Sequence, residues 1–138
     1  MADRVRKITY AYVKVPNRPG QGARITDQLR EAGVNLLAYT AFPQRGGKAQ
    51  VDLVAEDLGG VRRVARRNGW RLSDAKKGFL IQGDDKVGAV HHHLKKLAAR
   101  KINITATDAV SAGKGRYAML LWVRPKDYAR AAAALGAR

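Results

Sequence analysis

The 138-residue chain has no cysteine, which excludes disulfides and thiolate chemistry. Long apolar runs are missing as well. No stretch approaches the roughly 20 residues that a membrane-spanning helix needs. The start, Met1 to Lys7, is charged where a secretory signal would turn apolar, so the expected location is cytoplasmic. Acids are scarce and scattered, 11 against 27 Lys plus Arg. No nucleophile stands beside a base, and no glycine loop of the phosphate-cradling kind occurs. An enzyme is not expected, and no cofactor is called for.

The hydrophobic fraction is 46%, enough for a packed core and too high for wholesale disorder. The formal net charge of +16 draws polyanions and acidic metabolites to the surface and says little about the fold.

A repeat runs through the chain. Asn17-Arg18-Pro19-Gly20 opens one helix, and Gly33-Val34-Asn35-Leu36 follows it. Asp85-Lys86-Val87-Gly88 opens another, with Ile102-Asn103-Ile104 beyond it, at a constant offset (85 − 17 = 68, 103 − 35 = 68). A fixed period across a loop, a helix and a strand marks a duplicated supersecondary unit. A unit of that size is marginal alone and gains by packing on a twin.

Thr9 to Val15 alternates, placing Ala11, Val13 and Val15 on one strand face. A helix is predicted over Gln21 to Ala32, with Ile25, Leu29 and Ala32 as its buried stripe and Gly33 ending it. Strands over Val34 to Phe42 and Lys48 to Val54 flank a hairpin at Pro43 to Gly47. A second helix covers Leu58 to Asn68, and Trp70 to about Lys76 makes a fourth strand. The second copy runs through a strand Phe79 to Gln82, a helix Ala89 to Arg100 and strands Ile102 to Val110 and Arg116 to Val123. A last helix follows from about Lys126 to Leu135. The order in each copy is β-α-β-β-α-β, but position 70 + 68 is the final residue. The second copy therefore lacks a fourth strand of its own, and its sheet edge needs a partner, which suggests a homodimer.

These residues resemble the ACT domain, a small ligand-sensing module with a turn carrying Asn or Asp and Pro-Gly, a helix with spaced leucines, and then Gly-Val-Asn-Ile. Both copies match, the second without the proline and with Lys101 in place of the glycine. The resemblance implies an α+β protein of two tandem ferredoxin-like units packed as a pseudo-dimer, one over residues 5–77 and a truncated one over 78–138. It also implies a non-catalytic regulatory protein that binds an amino acid or similar small carboxylate where two ACT units meet. The site residues it implies are Asn17 and Asn35, and in the second copy Asp85 and Asn103; the turn residues Arg18, Pro19 and Gly20, and Lys86 and Gly88, complete the candidate set. Serine-sensing members often carry a histidine two residues before the turn Asn, where this chain has Val15 and Gly83.

Elementary chemistry points the same way. A strand-to-helix turn leaves backbone N–H groups without intrahelical partners, and these attract a carboxylate. Asn17 and Asn35 each offer a donor and an acceptor for a zwitterion, and ionised Asp85 can hold an ammonium. Arg18 and Lys86 add attraction for the carboxylate. The same asparagines equally suit turns and helix caps.

Two rival signals remain. His91-His92-His93 are neighbours that point about 100° apart on a helix and cannot close on one ion. His93 replaces Ile25 on the inner face at the repeat offset. The basic clusters Arg62-Arg63 and Arg66-Arg67, and Lys95, Lys96, Arg100 and Lys101 in the second copy, are expected on outer helix faces and keep RNA binding as the alternative. Tyr117 and Trp122 fall on opposite faces of a strand, so they make no stacking platform.

Overall fold

The computed structural model describes residues 3–138. By its contacts the chain divides into two compact units, Thr9–Lys76 and a second made of residues up to Ile8 together with Lys77–Arg138.

The Thr9–Lys76 unit holds most of strand β1 (Arg4–Pro16), then α1 (Gln21–Glu31), β2 (Leu36–Gln44), β3 (Lys48–Ala55) and α2 (Leu58–Asn68). Its strands lie in the order β2-β3-β1, with both neighbouring pairs antiparallel. Alternation along β1 buries Ala11, Val13 and Val15 as expected, and these pack with Ile25 and Leu29 of α1 and Val61 and Val64 of α2. Gly69 closes α2 at φ +69°. The expected strand from Trp70 to Lys76 does not form as a ladder. Ser73 meets β1 at a single residue, donating its N–H to the Tyr12 carbonyl at 2.9 Å and accepting the Tyr12 N–H on its hydroxyl, also at 2.9 Å. A side-chain acceptor has taken the place of a backbone carbonyl, and the ladder stops there.

The other unit contains β4 (Lys76–Asp84, whose first residue belongs to the unit before), α3 (Ala89–Ala99), β5 (Ile104–Gly113), β6 (Arg116–Val123), a 3-10 turn (Pro125–Asp127) and α4 (Tyr128–Leu135). Its order is β1-β4-β6-β5, with β6 antiparallel to both of its neighbours. As the repeat implies, no strand of its own follows α4. The first residues of β1 fill that place, and the chain end joins them: Lys7 N–H donates to the Arg138 carbonyl at 2.9 Å, and Arg138 N–H to Val5 at 3.1 Å. An edge that seemed to call for another chain is thus bordered inside this unit, and it supplies no reason for a homodimer. Phe79, Ile81, Leu97, Met119, Leu121 and Ala131 form the core.

The duplication extends to individual hydrogen bonds. Asn17 N–H to Gly47 O recurs as Asp85 N–H to Gly115 O, and Arg24 to Gly20 recurs as His92 to Gly88. Val34 to Leu29 likewise recurs as Ile102 to Leu97.

Candidate functional site

Both strand-to-helix corners are built alike. Gly20 enters α1 at φ +90° and Gly88 enters α3 at φ +84°, a left-handed conformation that costs glycine least. Neither helix start has a side-chain cap, so Asn17 and Asp85 do not serve as caps. Asn17, Arg18, Pro19 and Gly20 are all exposed, as are Asp85, Lys86 and Gly88.

Asn35 and Asn103, also exposed, lie past the far ends of α1 and α3. An 11-residue helix is about 16 Å long. Within one unit the structure therefore gathers Asn17 with Arg18, Pro19 and Gly20, and Asp85 with Lys86 and Gly88. It does not bring either set to the asparagine that follows its helix.

The second corner opens on a cleft of about 290 Å³ bounded by Asp85, Lys86, Gly88 and His91 on one side and Val110 and Ser111 of β5 on the other. Ser111 donates its hydroxyl to Asp85 at 2.8 Å, which leaves that carboxylate further capacity to accept. At the first corner a residue not foreseen takes part. A Cβ on Gly22 would stand 2.6 Å from the Tyr39 hydroxyl, so this β2 side chain lies against the first turn of α1. The bare glycine at position 22 was the available signal.

Behind the second corner lies a polar cluster. His93, 1% exposed, sits 2.6 Å from Asp3 and 3.0 Å from Tyr117 through its Nε2, and the Tyr117 hydroxyl donates to the same Asp3 oxygen at 2.5 Å. His93 lies on the inner face of α3, as the repeat offset implied, and its ring hydrogen-bonds the Asp3 carboxylate. Among the described residues no three His, Cys, Asp or Glu side chains gather in a metal-holding group. Gly83 makes room for the cluster: a Cβ there would fall 1.9 Å from the Asp3 carboxylate. Burial, and then Asp3, raise the Tyr117 phenol well above its ordinary pKa. Burial alone would raise Asp3, but the hydrogen bonds from Tyr117 and His93 outweigh it and lower its pKa.

The architecture is an ACT-like fold, two βαββαβ-like units in one chain. Among solved structures the chain resembles protein BT0572 from Bacteroides thetaiotaomicron, with TM-score 0.78 at 15% identity over 97% of this chain and 88% of that one. It also resembles the ligand-free regulatory subunit of aspartate kinase from Thermus thermophilus, with TM-score 0.60 at 15% identity over 98% and 93%. The aspartate kinase of Clostridium acetobutylicum matches with TM-score 0.59 at 11% identity, and 97% of this chain covers 33% of that one. At such identities the likeness is one of fold. No protein-family model and no curated protein sequence matches the chain. No helix among the described residues is long and apolar enough to cross a membrane.

Proposed function

We propose that the protein is a non-catalytic regulatory module that binds an amino acid or similar small carboxylate at its strand-to-helix corners. The observation that carries this reading is the repeated corner itself. A left-handed glycine starts each helix without a side-chain cap, and an exposed Asn17 or Asp85 stands beside a cation, Arg18 or Lys86. The helix start and the cation suit the ligand's carboxylate, and Asn17 or Asp85 suits its ammonium. Asn35 or Asn103, too far away within one unit, would come from another ACT unit and complete the contact. Similarity of fold to regulatory subunits of aspartate kinase supports a regulatory rather than a catalytic role.

Pairing of units side by side, as the ACT resemblance implies, favours a homodimer formed through β5, the last strand of its sheet, which is exposed from Thr105 to Gly113. Ligand binding then shifts a population of paired states and performs no chemistry. Calorimetric titration against the twenty amino acids tests the reading, with saturable heat expected for one or a few of them and lost in Asn17→Ala or Asp85→Ala. Absence of heat with every amino acid ends it. A second reading, RNA on the outer face of α2, is favoured by the exposed row Arg62, Arg63, Arg66 and Arg67. Tyr117 and Trp122 are buried and cannot stack on bases, so that reading rests on charge. RNA binding that weakens steeply as salt is raised would support it.

A further inference from the structure

A second cleft, of about 360 Å³, opens on the other side of the 85–88 turn, between the start of β1, the first two turns of α3 and the end of α4. Three basic side chains line it: Lys86 from the turn, and His92 and Lys96, one helical turn apart on α3. Among the described residues no carboxylate forms an ion pair with any of the three, although Lys96 is half-buried. The one acid in the lining, Asp3, is already engaged by Tyr117 and His93. Val5 and Leu135 supply apolar wall. Positive charge thus converges on a concave space whose one acid is already hydrogen-bonded to other side chains.

We propose that this cleft binds a small oxyanion carrying two negative charges, held by Lys86, His92 and Lys96, of the kind presented by a phosphate or sulfate group or by a compact dicarboxylate. Two lysines, joined by His92 once its ring takes a proton, face one carboxylate already engaged by two hydrogen bonds, and that balance favours a dianion over a monoanion. The surroundings of the cleft act on His92 in a consistent way. Lys96 foremost, then burial, His93 and Lys95 hold its imidazole below the ordinary value, against the pull of Asp3. A dianion between His92 and Lys96 reverses the balance and favours the protonated ring.

The experiment follows the His92 ring by NMR in the full chain during titration with sulfate, which stays dianionic across the range, with malonate, and with chloride at matched ionic strength. The expected result is a saturable shift with sulfate, malonate or both, a rise in the His92 pKa on saturation, and none of this with chloride. Sulfate alone points to a tetrahedral anion as the natural ligand, and malonate alone to a dicarboxylate. Lys96→Glu should weaken binding by about tenfold or more, Lys96→Gln, which keeps the packing stem, should weaken it less, and Arg67→Glu should leave it unchanged. A chloride response equal to that of the dianions, or equal weakening in Lys96→Glu and Arg67→Glu, would show mere screening and overturn the proposal. Amino-acid heats measured on the same samples keep the two sites apart, since Lys96 has no part in the corner site.

Discussion

Gly83→Ala probes the polar cluster through a single methyl group. The added Cβ would stand 1.9 Å from Asp3 Oδ1, 2.4 Å from its Cγ and 3.0 Å from Tyr117 Cε1. Backbone space is not the difficulty, because alanine in a strand is otherwise better than glycine by about 0.5–1 kcal/mol. The methyl must expel the Asp3 carboxylate, and with it the two bonds to His93 and Tyr117. His93 and Tyr117 stay within 3.0 Å of each other and can pair, so one buried polar group is saved. Loss of a charge-assisted bond and partial desatisfaction give a net cost of about 2–3 kcal/mol. Urea unfolding measures it, and hydrogen exchange at Val5 and Lys7 should report looser docking of the chain start. The same substitution in an Asp3→Ala background should cost nothing or be slightly stabilising, since the clash is gone. The pH dependence carries a matching sign. A carboxyl whose folded pKa is lowered contributes stability that is present above its ordinary value and is lost as pH falls through the lowered one. Gly83→Ala should therefore lose more stability at pH 7 than at pH 2.5. Equal destabilisation with and without Asp3, or none at all, would refute the reasoning.

Three further outcomes can be checked. Gly20→Ala meets no atom within 4 Å but must hold φ +90°, so it should lose about 1 kcal/mol of stability by urea unfolding through backbone strain alone. Ultraviolet titration should find Tyr10 ionising near pH 12, raised by burial and then by Asp52 and Tyr12, with Tyr117 later still; the stability these phenols contribute is present below pH 10 and lost as pH rises through their folded values. Phe79→Ala removes a ring that is fully buried and stacked on Tyr128 at 4.6 Å, and should cost about 3–5 kcal/mol in the same assay.

Most of the fold was legible because local chemistry and the repeat agreed. Helix α2 is bounded as expected because an inward stripe of Leu58, Val61, Val64 and Ala65 ends at a glycine with positive φ. The missed elements were those decided at long range. Whether Trp70–Ser73 becomes a strand depends on which acceptor meets the Tyr12 N–H, and no periodicity announces that a serine hydroxyl will win. Likewise, nothing around Arg4–Ile8 says that these residues serve the unit formed mainly by the chain's second half. Of the expected site residues, those in each turn were legible because glycine and helix starts are local signals. The placement of Asn35 and Asn103 a helix length away is also read from the sequence once α1 and α3 are drawn to scale.

The cluster behind the second corner had its own signature, visible only by comparing the copies. At the repeat offset Val15, Ile25 and Ala49 become Gly83, His93 and Tyr117. In the first copy Val15 and Ile25 share one apolar core with Ala49 packed against it. In the second, the same three places lose a side chain, gain a buried imidazole and gain a phenol, and a carboxylate from Asp3 enters the space that was vacated. Any one of these changes alone would be destabilising: a void at Gly83, an unpaired polar ring at His93 or overpacking at Tyr117. Together they compensate, because the missing Val15 volume admits the group that satisfies the other two. Duplication would have begun from two equivalent corners. The compensated exchange makes the second one dependent on the chain start, so that substitutions at Asp3 should loosen α3 and the 85–88 turn in hydrogen exchange while α1 and the 17–20 turn keep their protection. Equal loosening of both corners would show that the cluster has no such local reach.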